Sequence, residues 1–135
     1  MKKIYLILVI SILFNTTLFA DKNMKIGSKG KLSDVTRTIE VKMYDNYYEP
    51  NVFKIKKGET VKFKVKNLGE LVHEFNIANP MMHIKHQPEM ELMVENEILL
   101  GDRIDKDKMQ KMAAMDKSMG HSHSNSVLLA PKEEG

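Results

Sequence analysis

The 135 residues carry 21 Lys and Arg against 18 Asp and Glu, a formal charge of +3, and Lys2 and Lys3 near the start account for most of that excess. So small a bias gives no support to nucleic acid binding, and a chain with 0 Cys has no disulfide, no thiolate ligand and no cysteine for lipid attachment. With 42% hydrophobic residues the chain can build one modest domain, in which each strand counts because small domains bury a low share of their surface.

In chain order, Met1-Lys2-Lys3 precedes an apolar run from Ile4 to Phe14 and a short polar stretch ending at Ala20. That order is the mark of a secretory leader. The run is shorter than the roughly 20 apolar residues that cross a bilayer. The expectation is therefore cleavage after Ala20 and a soluble periplasmic product, with an uncleaved membrane anchor as the alternative. Residues 21–32, rich in Lys, Gly, Ser and Asn, read as a flexible tether, and the domain is placed at 33–135.

Thr38 to Met43 alternates apolar and polar residues, the period-two pattern of a strand with one buried face. A turn rich in Asp, Asn and Pro covers Asp45 to Asn51. Val52 to Lys56 is expected as a second strand, Lys57-Gly58-Glu59 as a turn, and Thr60 to Lys66 as a third strand with Val61, Phe63 and Val65 on one face and three lysines on the other. After the turn Asn67 to Glu70, Leu71 to Ile77 is the fourth strand. It places Leu71, His73, Phe75 and Ile77 on one face and Val72, Glu74 and Asn76 on the other, which is expected to meet solvent. Short strands at regular spacing predict an all-β sandwich or barrel.

From about 80 to 120 helix formers take over, and two or three short helices are expected, with Pro88 in the first turn of a new one. Eight of the 11 Met and four of the five His fall between Met81 and His123. Gly120 ends the helices, His121 to Ser126 is a polar loop, Val127 to Ala130 starts another strand, and Pro131 to Gly135 reads as a turn leading into a further one.

The run Tyr48-Glu49-Pro50, then Phe53 to Phe63 with Lys57-Gly58-Glu59-Thr60-Val61 inside it, then Val65-Lys66-Asn67 and His73-Glu74-Phe75, resembles the exported cupredoxin-like copper proteins of bacteria, those of copper tolerance among them. Asn125-Ser126-Val127 fits the same pattern after a Met- and His-containing insertion. The resemblance implies an all-β Greek-key sandwich that holds one copper ion, with His73 as the first ligand. It also implies copper tolerance or electron transfer in complete relatives, and a periplasmic redox or copper-handling protein as partner. The remaining family ligands, a Cys, a second His and usually a Met, would follow Gly135, so the domain reads as partial. A trigonal His-His-Cys blue copper site needs a thiolate.

Without the resemblance, His73 reads first as a core histidine satisfied by one hydrogen bond, with metal ligation as the alternative. Weaker ligand candidates lie in the insertion. Thioether sulfur selects Cu(I), and imidazole accepts copper, zinc or nickel. Met112, Met115 and Met119 recur along one helix face, as do His83, His86 and Met90 if Pro88 does not separate them. The bland account is that these methionines fill a packing seam. His121 and His123 can approach one ion from an extended loop, or simply be solvated. No nucleophile motif, phosphate loop or paired carboxylates point to an enzyme. A non-metal interaction module with an adaptable Met-rich surface, or a non-functional remnant, are the rival functions.

Overall fold

The computed structural model describes residues 26–135; the expected leader, and residues 21–25 of the expected tether, lie outside the described residues. Among the described residues no helix is long and apolar enough to cross a membrane. Strand β1 (Arg37–Met43) pairs antiparallel with β2 (Tyr48–Glu49) and parallel with β3 (Val61–Asn67), while β4 (His73–Asn76) and β5 (Ser126–Leu129) form an antiparallel pair. The other edge of β3 is bonded to the final residues, through Val65 N–H to Gly135 O at 2.8 Å and Asn67 N–H to Glu133 O at 2.9 Å. Two helices, α1 (Pro80–Glu95) and α2 (Lys106–Met115), and a 3-10 turn at Lys117–Gly120 occupy the stretch between β4 and β5.

Alternation along β1 and β3 works as the sequence leads one to expect. Val41, Met43 and Val65 turn inward with Leu129, and Ile39, Tyr48, Phe63, Phe75 and Val127 pack around them. Met43 is fully buried. Burial of such side chains is worth about 1.5–3 kcal/mol each before entropy is counted.

Three elements differ from the sequence expectation. Val52 to Lys56 forms no ladder: Val52 is 71% exposed, and the segment is anchored by Phe53, whose ring lies 5.3 Å from Phe63. A strand appears instead at Tyr48–Glu49, inside the expected turn, because Tyr44 N–H bonds to Tyr47 O at 2.9 Å and folds the chain back on β1. Helix α1 runs through Pro88 rather than starting there. Its start is set by Asn79, whose side chain accepts from Met82 N–H at 2.9 Å with Pro80 in the first turn. A mid-helix proline removes one backbone bond and strains the preceding turn, so tertiary contacts of α1 must hold it.

Those contacts form a second apolar cluster. Met93, Ile98 and Met119 are buried together, with Met90, Leu99, Met109, Met112 and Leu128 packed around them. Strand β5 therefore faces two ways. Val127 and Leu129 enter the sandwich core, and Leu128 enters the helical cluster. Strand β4 does the same with different chemistry: Phe75 faces the sandwich, and the Glu74 side chain reaches α1. The β4–β5 pair is thus a wall between the sandwich and the helices, and a strand face expected to meet water is covered.

Candidate metal centre

Helix geometry places residues three apart on one face, so His86 and Glu89 project together from the middle of α1. The chain returns to them after the 3-10 turn. His121 has φ of 45°, in the left-handed region that non-glycine residues seldom adopt, and two residues later His123 lies on the same side. The three imidazoles gather with ring centroids 5.0, 5.1 and 5.2 Å apart. Glu89 sits among them: its carboxylate is 2.9 Å from His123 Nε2, 3.2 Å from His121 Nδ1 and 3.5 Å from His86 Nδ1.

One ligand atom from each of His86, Glu89, His121 and His123 lies within 4.8 Å of the others. Tetrahedral ligands at bond lengths of about 2.0–2.1 Å stand roughly 3.3 Å from one another, and the Glu89 carboxylate lies 2.9–3.5 Å from the three ring nitrogens. The donor set is three imidazoles and one carboxylate. It suits Cu(II), Zn(II) and related divalent ions, whereas Cu(I) prefers sulfur. An open depression of about 230 Å³, bordered by Met82, Lys85, His86, Glu89 and His123, gives an ion a way in.

Beneath the rings lies Glu74. Its Oε2 is 3.1 Å from His86 Nε2, and its Oε1 is 3.2 Å from His121 Nε2. The second contact is poorly aligned, so His121 Nε2, on a side chain only 2% exposed, has no well-formed hydrogen bond. Burial pushes the Glu74 carboxyl up, but His121, Ser126 and the charge of His86 outweigh it and hold the group down to about 2. Burial likewise pushes the His121 imidazole down, and the Glu74 and Glu89 carboxylates overcome it, so the net direction is up.

His73 is elsewhere. It faces away from the helices at the rim of the sandwich, where its Nε2 is 2.9 Å from Asp45 Oδ1. Asp45 also accepts from Glu70 N–H at 2.9 Å and Leu71 N–H at 3.1 Å. The chain fits this closely only because residue 69 is glycine: a Cβ there would collide with the Asp45 carboxylate and crowd His73 Nε2. The hydrogen bond from His73, then those from Leu71 and Glu70, hold the Asp45 carboxyl below its ordinary 3.8. A depressed carboxyl contributes stability that is complete above the ordinary value and is lost as pH falls below it. Asp45→Asn is therefore expected to flatten the decline of stability below about pH 4, measured by urea unfolding across an acid series.

Of the other sequence candidates, His83 is exposed on α1 and stands outside the four-residue group. Met90, Met112 and Met119 are accounted for by the second apolar cluster. Met115 is 81% exposed, which breaks the expected stripe. Glu89 and Glu74 were not among the sequence candidates. Glu89 carries a signal in its spacing of three from His86, but Glu74 carries none until the cover over β4 is known.

A family model for the cupredoxin-like domain matches residues 6–104. The chain belongs to the cupredoxin-like family. Among curated relatives, a protein of Pseudomonas aeruginosa named copper-resistant cuproprotein CopI is 35% identical over 93% of this chain and 74% of its own length. A protein of the same name from Rubrivivax gelatinosus is 31% identical over 54% of this chain and 45% of its own length. No solved structure matches. The cupredoxin-like assignment supports a copper-related function and an all-β sandwich for this chain. The residues of this sequence include 0 Cys, so they do not themselves supply the thiolate that a blue copper centre at His73 would need. They fit a copper site of nitrogen and oxygen donors.

Proposed function

We propose that this is an exported copper-binding protein that serves copper tolerance by capturing Cu(II), with His86, Glu89, His121 and His123 as the ligands. The observation that carries the reading is the convergence of four ligand atoms within 4.8 Å from two segments far apart in the sequence. The relatives' printed names support the copper-tolerance role, and the leader-like start at Met1 to Ala20 supports export. Capture is the reading the donors support, because the four that gather are nitrogen and oxygen atoms suited to holding Cu(II). The interaction-module alternative loses ground, since Met90, Met112 and Met119 pack inward and offer a partner little surface.

The test is a titration of the leaderless protein with Cu(II), followed by electron paramagnetic resonance. One ion with nitrogen and oxygen donors is expected, and the combined variant His86→Ala, His121→Ala, His123→Ala should lose it. Equal binding by that variant would remove the proposal.

A further inference from the structure

The carboxylate of Glu74 touches two imidazoles, and in both it meets the ring nitrogen opposite the one that faces Glu89. His86 presents Nε2 to Glu74 at 3.1 Å and Nδ1 to Glu89 at 3.5 Å. His121 presents Nε2 to Glu74 at 3.2 Å and Nδ1 to Glu89 at 3.2 Å. A neutral imidazole has one N–H and one lone pair, and an ionised carboxylate only accepts. Glu89 faces both Nδ1 atoms, so the two carboxylates compete for each ring proton; once an ion takes Glu89 and the Nδ1 lone pairs, an ionised Glu74 is the acceptor left to hold the proton on Nε2 of both rings.

Two further observations point the same way. The Nε2 of His121 is a buried polar atom without a well-formed hydrogen bond, and Glu74 Oε1 stands 3.2 Å from it, so a small turn of the ring as an ion is held would complete that bond. The charge count is also selective. With imidazoles neutral, as metal ligation requires, Glu74 and Glu89 give the partly buried group two negative charges, which a divalent ion balances and a monovalent ion does not.

We propose that Glu74 is the positioning residue of the centre: it faces Nε2 of His86 and of His121, keeps the proton there when their Nδ1 atoms hold the ion, and sets the pocket for a divalent cation over Cu(I). This inference rests on the copper reading of the same site. Partners of this kind, one shell behind the ligands, fix tautomer and ring orientation, and their loss costs about 10–100-fold in metal affinity.

The experiment uses leaderless protein labelled with 15N histidine and loaded with Zn(II) alone, a diamagnetic stand-in for Cu(II). Long-range proton–nitrogen spectra are expected to give N–H at Nε2 and metal at Nδ1 for His86 and His121. Glu74→Gln, which keeps the shape and removes the charge, should mix the tautomers and weaken Zn(II) and Cu(II) roughly 10–100-fold. It should also narrow the preference for Cu(II) over Cu(I) in chelator competition. The wild-type spectrum tests the tautomer even if the variant folds poorly. Metal at Nε2 of either ring would overturn the proposal, as would Glu74→Gln that leaves affinity, tautomer and oxidation-state preference unchanged. Failure of the underlying copper reading is distinguishable, because it shows as metal binding that survives removal of the three histidines.

Discussion

Saturating the protein with Cu(II) is expected to raise its thermal midpoint on the order of 10 °C, and His121→Ala should remove most of that shift. An ion that binds the folded chain and not the unfolded one stabilises it by about 2.7 kcal/mol at a hundredfold excess over the dissociation constant. Each kcal/mol moves the midpoint of a domain near this size by roughly 4–8 °C. The ligands justify the assumption, because His86 and Glu89 come from α1 while His121 and His123 come from the chain beyond α2. An unfolded chain does not hold that set together. His121 is the residue to remove, since its ring is buried between Glu74 and Glu89 and contacts both. His73→Ala is the discriminating control. His73 lies toward Asp45, on the opposite side of β4 from the Glu74 side chain, so its loss should leave the copper-induced shift in place. Scanning calorimetry with and without Cu(II) measures all three proteins. A shift that persists in His121→Ala but vanishes in His73→Ala would move copper to the sandwich rim and away from the helices.

Local alternation made much of the sandwich legible, because strands β1 and β3 each bury one face and the period is visible in Val61, Phe63 and Val65, with His73 and Phe75 sharing a face of β4. Where burial is slight the pattern misleads. Val52 and Ile55 look like strand residues yet remain exposed, while Tyr48 and Glu49 pair with β1 from within a turn-rich run. The cupredoxin-like resemblance placed the chain in its family, and the family match bears that out. The metal centre was legible only in its parts. His86, His121 and His123 stood out by residue type, but their convergence depends on how α1 and the 3-10 turn pack on the β4–β5 wall, and no local period encodes that. The solvent face assigned to Glu74 was the instructive miss. Period two says which side chains share a face; it does not say what covers the face.

Asn67→Ala is expected to destabilise the fold by on the order of 3 kcal/mol or more, the largest effect anticipated from a residue outside the metal centre. Asn67 closes β3 and is fully buried. Its Nδ2 donates to Leu71 O at 2.8 Å and to Leu129 O at 3.0 Å, and its Oδ1 accepts from Gly69 N–H at 2.9 Å. These bonds run from the three-stranded sheet to the loop that carries Gly69 and to the end of β5, so one side chain joins both sheets. Alanine removes every one of them. Leu71 is exposed, and its carbonyl can turn to water, but Gly69 is buried and the bond to Leu129 is a buried one. Each buried group left unpaired costs about 1–3 kcal/mol, and the void adds to that. Asn67→Asp should be no gentler, because it keeps the acceptor for Gly69 but puts a charge where two donors stood. Urea unfolding gives the measurement: a lower midpoint with an unchanged slope identifies lost stability rather than a changed unfolded state. If the midpoint of Asn67→Ala stayed at the wild-type value, the joint between the sheets would rest on Met43, Val65 and Leu129 packing alone. The polar link would then be dispensable.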